Sequence, residues 1–160
     1  MVVSNTSPLN YLILIEVIDV LPRLYERVII PQSVCGELEA AETPAAVRNW
    51  ILNPPDWLEI SSETGLLDSD LASLHAGERD AISLALHLQA GALLIDERRG
   101  RREAEKRELK VIGTIGGLAF AHVRGLLNLS NAIGRLQRTT FHLSPKLLAS
   151  VLQKYENTLE

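Results

Sequence analysis

Residues Ala92-Leu93-Leu94-Ile95 form a short apolar run that leads directly into Asp96 and then into Arg98-Arg99-Gly100-Arg101-Arg102. Four apolar residues in a row read as a strand buried on both faces of a parallel sheet. A carboxylate at the carboxyl end of such a strand stands where open α/β sheets gather their ligand chemistry. Four arginines beside it attract a polyanion. Near the N-terminus a second apolar strand, Val2-Val3-Ser4, ends the same way, but on an amide, Asn5.

Working outward, strands and helices alternate. Thr6-Ser7-Pro8 starts a helix, with the proline suited to its first turn, and apolar residues continue through Leu21. Arg27 to Ile30 reads as the second strand, and Pro31 opens a helix through about Ala41. A helix over Pro44–Leu52 precedes a strand at Trp57–Ile60 and a short helical segment at Leu66–Leu74. Glu78–Gln89 is a clearer helix, closed by Gly91. After the strand to Asp96 come a charged helix over Glu97–Glu108 and a strand at Lys110–Ile112. A glycine-rich turn, Gly113 to Gly117, leads into a helix from Leu118 to about Arg124. Two more helices, Ser130–Arg138 and Ser144–Tyr155, finish the chain. This alternation predicts an α/β fold with a mainly parallel central sheet covered on both faces.

The chain has 160 residues, 46% hydrophobic and 22% charged. That suits one domain over 1–160 with a sizeable core. No apolar run reaches the roughly 18 residues of a membrane span, and no basic region precedes the first apolar stretch, so neither a membrane segment nor a signal peptide is expected. Cys35 is the only cysteine; it forms no intrachain disulfide and fits a reducing cytoplasm as a small buried thiol. A net charge of −4 argues against a non-specific nucleic-acid coat but leaves room for a basic patch over an acidic site. With only 4% aromatic residues, base-stacking platforms are not the expected mode of RNA contact.

Each candidate residue has a bland alternative. Asp96 serves as a strand-end ligand or as a helix N-cap, and the two roles are compatible. Glu78 lies one turn before Ala81, Ile82 and Ala85, on the apolar side of its helix, where a carboxylate needs a metal, an arginine or backbone donors; the alternative is stabilisation by the helix dipole. Asp80 shares a polar face with Ser83 and His87 and reads as solvated. Glu37, flanked by Val34 and Ala41 at helical spacing, stands at the edge of a packed face or is a surface charge. Asn5 is a site residue or a turn residue, with Thr6 and Ser7 as hydroxyls that orient neighbours. Arg98, Arg99, Arg101 and Arg102 either contact phosphate or pair with Glu103 and Glu105 four residues on. Gly113 to Gly117 lacks a phosphate-loop lysine and reads as a close-packed turn with Thr114 reaching the sheet edge. The four histidines show no zinc spacing.

Taken in order, five blocks resemble the PIN-domain nucleases, most closely a VapC-like subfamily often left as a domain of unknown function. They are Val2 to Leu9, then Ile29-Ile30-Pro31 with Val34 and Glu37-Leu38, then Gly77-Glu78-Arg79-Asp80-Ala81-Ile82, then Leu93 to Arg98 with Gly100-Arg101, and Val111 to Thr114 with Gly116. The part from about 125 to 160 is less diagnostic. The resemblance implies a three-layer α/β/α sandwich and a ribonuclease dependent on Mg²⁺ or Mn²⁺. It implies a catalytic set of Asn5, Glu37, Glu78 and Asp96, with Asn5, Glu78 and Asp96 as metal ligands and Asp80 as the alternate acid. Arg98 and Arg101 would bind RNA phosphate, supported by Thr6, Ser7 and Thr114. It further implies the toxin of a toxin-antitoxin pair, with a cognate antitoxin over the acidic cleft, a homodimer and a cytoplasmic location. Hard divalent cations prefer carboxylate oxygen, and Asn5 falls where the family carries an aspartate. The amide predicts weak metal binding and impaired catalysis, whether it is natural or an inactivating substitution. The competing reading is a catalytically silent PIN-fold module that binds RNA or a protein.

Overall fold

The computed structural model describes residues 1–63 and 69–155. Its five strands are β1 (Val2–Ser4), β2 (Val28–Pro31), β3 (Leu58–Ser61), β4 (Ala92–Leu94) and β5 (Val111–Ile112). Every pairing is parallel, in the order β3-β2-β1-β4-β5. The first connections run outward from β1 to β2 and β3; the chain then crosses to the other side of β1 to lay down β4 and β5. The switch point therefore falls between β1 and β4, where a doubly wound sheet opens its ligand crevice at the carboxyl ends.

The helices are α1 (Thr6–Leu14), α2 (Leu21–Leu24), α3 (Gln32–Glu39), α4 (Ala45–Leu52), α5 (Ala76–His87), α6 (Arg98–Lys106), α7 (Thr114–Val123), α8 (Leu129–Leu136) and α9 (Pro145–Tyr155). They cover both faces of the sheet, and alternation along each strand divides the core in two. Val2, Val28, Ile30 and Leu94 pack with Leu9, Leu12, Leu38, Leu118 and Ile133 on one face. Val3, Ile29, Leu93 and Ile95 pack with Ala81, Ile82, Ala85 and Ala104 on the other. The result is the expected three-layer α/β/α sandwich.

The sequence boundaries hold to within a few residues except at three places. The first helix ends at Leu14 instead of running to Leu21: Glu16 takes a positive φ of 62°, and a 3-10 turn at Ile18–Val20 leads into α2. The segment expected to be helical over Leu66–Leu74 lies partly outside the described residues; its described part holds a 3-10 turn at Ser69–Leu71. The glycine-rich stretch after β5 is helix from Thr114 onward, not a turn up to Gly117. The backbone N–H of Gly117 already donates to the Gly113 carbonyl at 3.0 Å, and the Asp96 carboxylate receives the Thr114 N–H at 2.7 Å. A half-buried carboxylate acceptor at its first residue offsets the weak helix propensity of two glycines.

Candidate active site

Asn5 leaves the end of β1, and its backbone N–H continues the ladder to the Leu94 carbonyl of β4 at 2.9 Å. Its side chain is 2% exposed and points into the crevice at the switch point. The amide nitrogen Nδ2 donates to Glu97 Oε2 at 3.1 Å. Its oxygen Oδ1 is buried and has no protein partner. A buried carbonyl oxygen without a donor is costly, and it marks a position where a cation or a water completes the structure.

Two further carboxylates share this corner. Glu37, half-buried on α3, accepts a short hydrogen bond from Thr6 Oγ1 and another from the Gly77 N–H at 3.1 Å. Gly77 lets the carboxylate sit this close: a Cβ would come within 2.7 Å of Glu37 Oε1 and displace it. Glu78, in the first turn of α5, is 7% exposed. Its pKa is raised, first by burial and then by the Glu97 charge, with Glu37 adding to the rise and His75 and Arg99 opposing it. The charges of Glu37 on α3 and of Glu97 before α6 thus both act on Glu78 of α5. Glu97 is held from two sides, by Asn5 and by the Ser7 hydroxyl at 2.6 Å.

Asp96 has other partners. Its two oxygens accept from the Thr114 N–H and the Thr114 Oγ1, each at 2.7 Å, which ties the end of β4 to the start of α7. Its carboxyl is also raised, chiefly by burial, while the Thr114 hydrogen bonds and the nearby Arg101 draw it down. Gly113 lies between these groups, where a Cβ would come within 2.7 Å of Arg101 Nη1 and 3.1 Å of Asp96 Oδ1. Sequence reading named Asp96 as the strand-end ligand. The carboxylate that reaches Asn5 is its neighbour Glu97, which had been assigned only to the start of the charged helix. Consecutive residues of an extended segment project to opposite sides, so the two carboxylates take different partners, but no local signal says which side meets Asn5.

The remaining candidates divide. Asp80 is half-buried and pairs weakly with Arg79 Nε at 3.4 Å. Arg98 is exposed and Arg101 half-buried at the mouth of the crevice. The pairing of Arg99 with Glu103 does not form: Arg99 donates to Ser73 Oγ, and Glu103 turns to Lys106 and Arg107. Glu103 lines a separate hollow with Asp70, Lys106 and Arg107, while Arg98, Arg101, Arg102 and Glu105 gather beside Asp96.

An all-parallel sheet in an α/β/α sandwich, with carboxylates and a buried amide at its switch point and arginines at the rim, defines a class of acid-lined nucleotide-handling sites. A family described as a PIN domain matches residues 1–157, and the chain belongs to the PIN-domain family. Members of this family are generally nucleases that use divalent metals. A search of curated proteins and a search of solved structures found no match.

Among the described residues, no three histidine, cysteine or carboxylate side chains close into a ready-made metal cage. The donor chemistry still fits a hard divalent cation. All the groups are oxygen donors, the carboxylates repel one another, and Asn5 Oδ1 lacks a partner. Nor, among the described residues, is any helix long and apolar enough to cross a membrane.

Proposed function

We propose that this chain is a metal-dependent endoribonuclease of the toxin type, impaired at its first acidic position by Asn5. The observation that carries the reading is the unpartnered Asn5 Oδ1 beside Glu97, with Glu78 and Glu37 at the same corner of the sheet. Glu78, Glu97 and Asn5 would hold Mg²⁺ or Mn²⁺, with Asp96 adjoining and Asp80 as the alternate acid. When bound, the cation supplies an activated water and neutralises the scissile phosphate.

The protein's own groups do the positioning. Thr6 and the Gly77 N–H orient Glu37. Ser7 and Asn5 orient Glu97. Thr114 keeps Asp96 turned toward α7 and so spaces the two adjacent carboxylates. Arg98 and Arg101 bind the RNA phosphate at the rim. A cognate antitoxin over this cleft, a homodimer and a cytoplasmic location belong to the same proposal.

One observation favours a second reading, a catalytically silent RNA- or protein-binding module. Asn5 Nδ2 donates to Glu97 Oε2, so the amide engages a carboxylate oxygen that an aspartate at position 5 would leave free for metal. Mn²⁺ titration by calorimetry together with an RNase assay, on the chain as it stands and on Asn5→Asp, separates the two. Tighter Mn²⁺ binding and new cleavage in Asn5→Asp support the enzyme. Unchanged metal binding and no cleavage would remove position 5 from the site and leave the silent module.

A further inference from the structure

The charged groups at the carboxyl end of the sheet divide into two halves of opposite balance. In one half Glu37, Glu78 and Glu97 share the corner with Asn5, whose buried Oδ1 has no protein partner. The other half is built around Asp96. The hollow beside it, about 310 Å³, is lined by three arginines, Arg98, Arg101 and Arg102, against two carboxylates, Asp96 and Glu105. This half carries surplus positive charge before any ion arrives.

Arg101 is the arginine fitted into that half. It is half-buried, whereas Arg98 and Arg102 are exposed. Gly113, at the start of α7, makes room for it: a Cβ there would stand 2.7 Å from Arg101 Nη1 and 3.1 Å from Asp96 Oδ1. The φ of Gly113 is −86°, which any residue adopts, so the glycine serves close approach and not an unusual backbone. Guanidinium and carboxylate therefore flank one point. Both oxygens of Asp96 are already engaged, by the Thr114 N–H and by Thr114 Oγ1.

From this arrangement we infer that Arg101 fills a second cation position, supplying beside Asp96 the positive charge that two-metal nucleases draw from a second ion, so that the chain takes one divalent ion and not two. This rests on the metal-dependent ribonuclease reading and adds the number of ions that the site uses. A divalent ion bonded to Asp96 at about 2 Å would stand beside Arg101 Nη1. The repulsion between a double and a single charge at that range opposes the one carboxylate that would hold it. That carboxylate also has half of its acceptor positions taken by Thr114. The guanidinium can do the work of the missing ion. Its charge is permanent, and its planar fork of donors matches the oxygens of a phosphate.

The test counts ions instead of reading cleavage. Mn²⁺ is titrated into the full chain by calorimetry, and the bound Mn²⁺ is read by EPR, in which two ions about 3.5–4 Å apart couple and a lone ion does not. The chain as it stands and Asn5→Asp are measured side by side. Each is expected to bind one Mn²⁺ with an uncoupled spectrum. Arg101→Gln, made in both backgrounds, should admit a second, weaker ion and give a coupled spectrum. Arg101→Lys keeps the charge and should stay at one ion. Adding Asp96→Asn to Arg101→Gln should return the count to one, because the second ion loses its carboxylate.

Two ions in the chain with Arg101 intact, or a single ion in Arg101→Gln, overturns the inference and leaves the metal-dependent reading standing. Loss of all Mn²⁺ from the Arg101→Gln, Asp96→Asn double variant also overturns it, since Asp96 would then hold the first ion. No Mn²⁺ binding to the chain as it stands or to Asn5→Asp overturns the metal-dependent reading and the inference together.

Discussion

Asn5 and Glu97, 92 residues apart in the chain, meet at the carboxyl end of the sheet through a hydrogen bond of 3.1 Å. The bond satisfies the amide nitrogen and leaves the amide oxygen buried and bare. Replacing Asn5 with aspartate turns that donor into a second charge beside Glu97. In the absence of metal, Asn5→Asp should lose about 1–3 kcal/mol of stability, the cost of a lost buried hydrogen bond with an unpaired acceptor left behind. Saturating Mn²⁺ should restore it, because a ligand that binds only the folded state stabilises by mass action. Thermal melts with and without Mn²⁺ check this; a variant equally stable in both conditions would count against a cation at position 5.

Glu78 makes stability depend on pH. Burial, and then the Glu97 charge, holds its carboxyl above the ordinary range. The native state therefore keeps a proton at pH values where the unfolded chain has released it. Stability falls as pH rises from the ordinary carboxylate range through the raised native value, and levels off above it. Asp96, raised chiefly by burial, acts in the same direction. Glu78→Gln should make the metal-free protein more stable at neutral pH and reduce the slope without abolishing it, as read from urea midpoints between about pH 5 and about pH 8. An unchanged slope would mean that Glu78 does not titrate differently in the folded state.

Two helical glycines should respond in opposite ways to alanine. At Gly100 an added Cβ would come 2.6 Å from Ile95 Cδ1 and 3.0 Å from Glu78 Oε2, so the fully buried Ile95 side chain must repack or α6 must shift, at about 1–3 kcal/mol. At Gly117, inside α7, an added Cβ would meet nothing within 4 Å, and the helix should gain about 0.5–1 kcal/mol. Chemical denaturation of the two variants side by side gives the comparison, and the same sign for both would contradict the packing described.

Gly77→Ala addresses Glu37 directly. The new methyl would collide with the Glu37 carboxylate, so that carboxylate must swing away from Thr6. In an Asn5→Asp background made competent for cleavage, the expected result is at least a tenfold loss of kcat, on the scale of general acid–base contributions, with a small change in KM. Full activity would exclude Glu37 from the chemistry.

Cys35 should be inert. Burial, and then the adjacent Glu39, pushes its thiol up to about 11, so little thiolate is present at neutral pH. A thiol reagent should leave the native protein unmodified and react on unfolding. Rapid labelling of the native state would show that α3 opens.

Much of this molecule was legible along the chain. The apolar runs at Val2–Ser4, Ile29–Ile30 and Ala92–Ile95 determined a parallel sheet, because strands buried on both faces cannot alternate with polar residues. Helical spacing put Glu78 on the packed side of its helix, and it is buried there. Local pattern could not separate Asp96 from Glu97, since both follow the same strand. The choice depends on what each side of the strand end meets, Thr114 of α7 for one and Asn5 and Ser7 for the other. Nor could composition reveal that four scattered aromatic residues line one groove, or that Glu103 would turn to Lys106 and Arg107. Those facts belong to the packed arrangement of the elements. Periodicity reports which face of an element is buried; only the tertiary arrangement decides what that face is buried against.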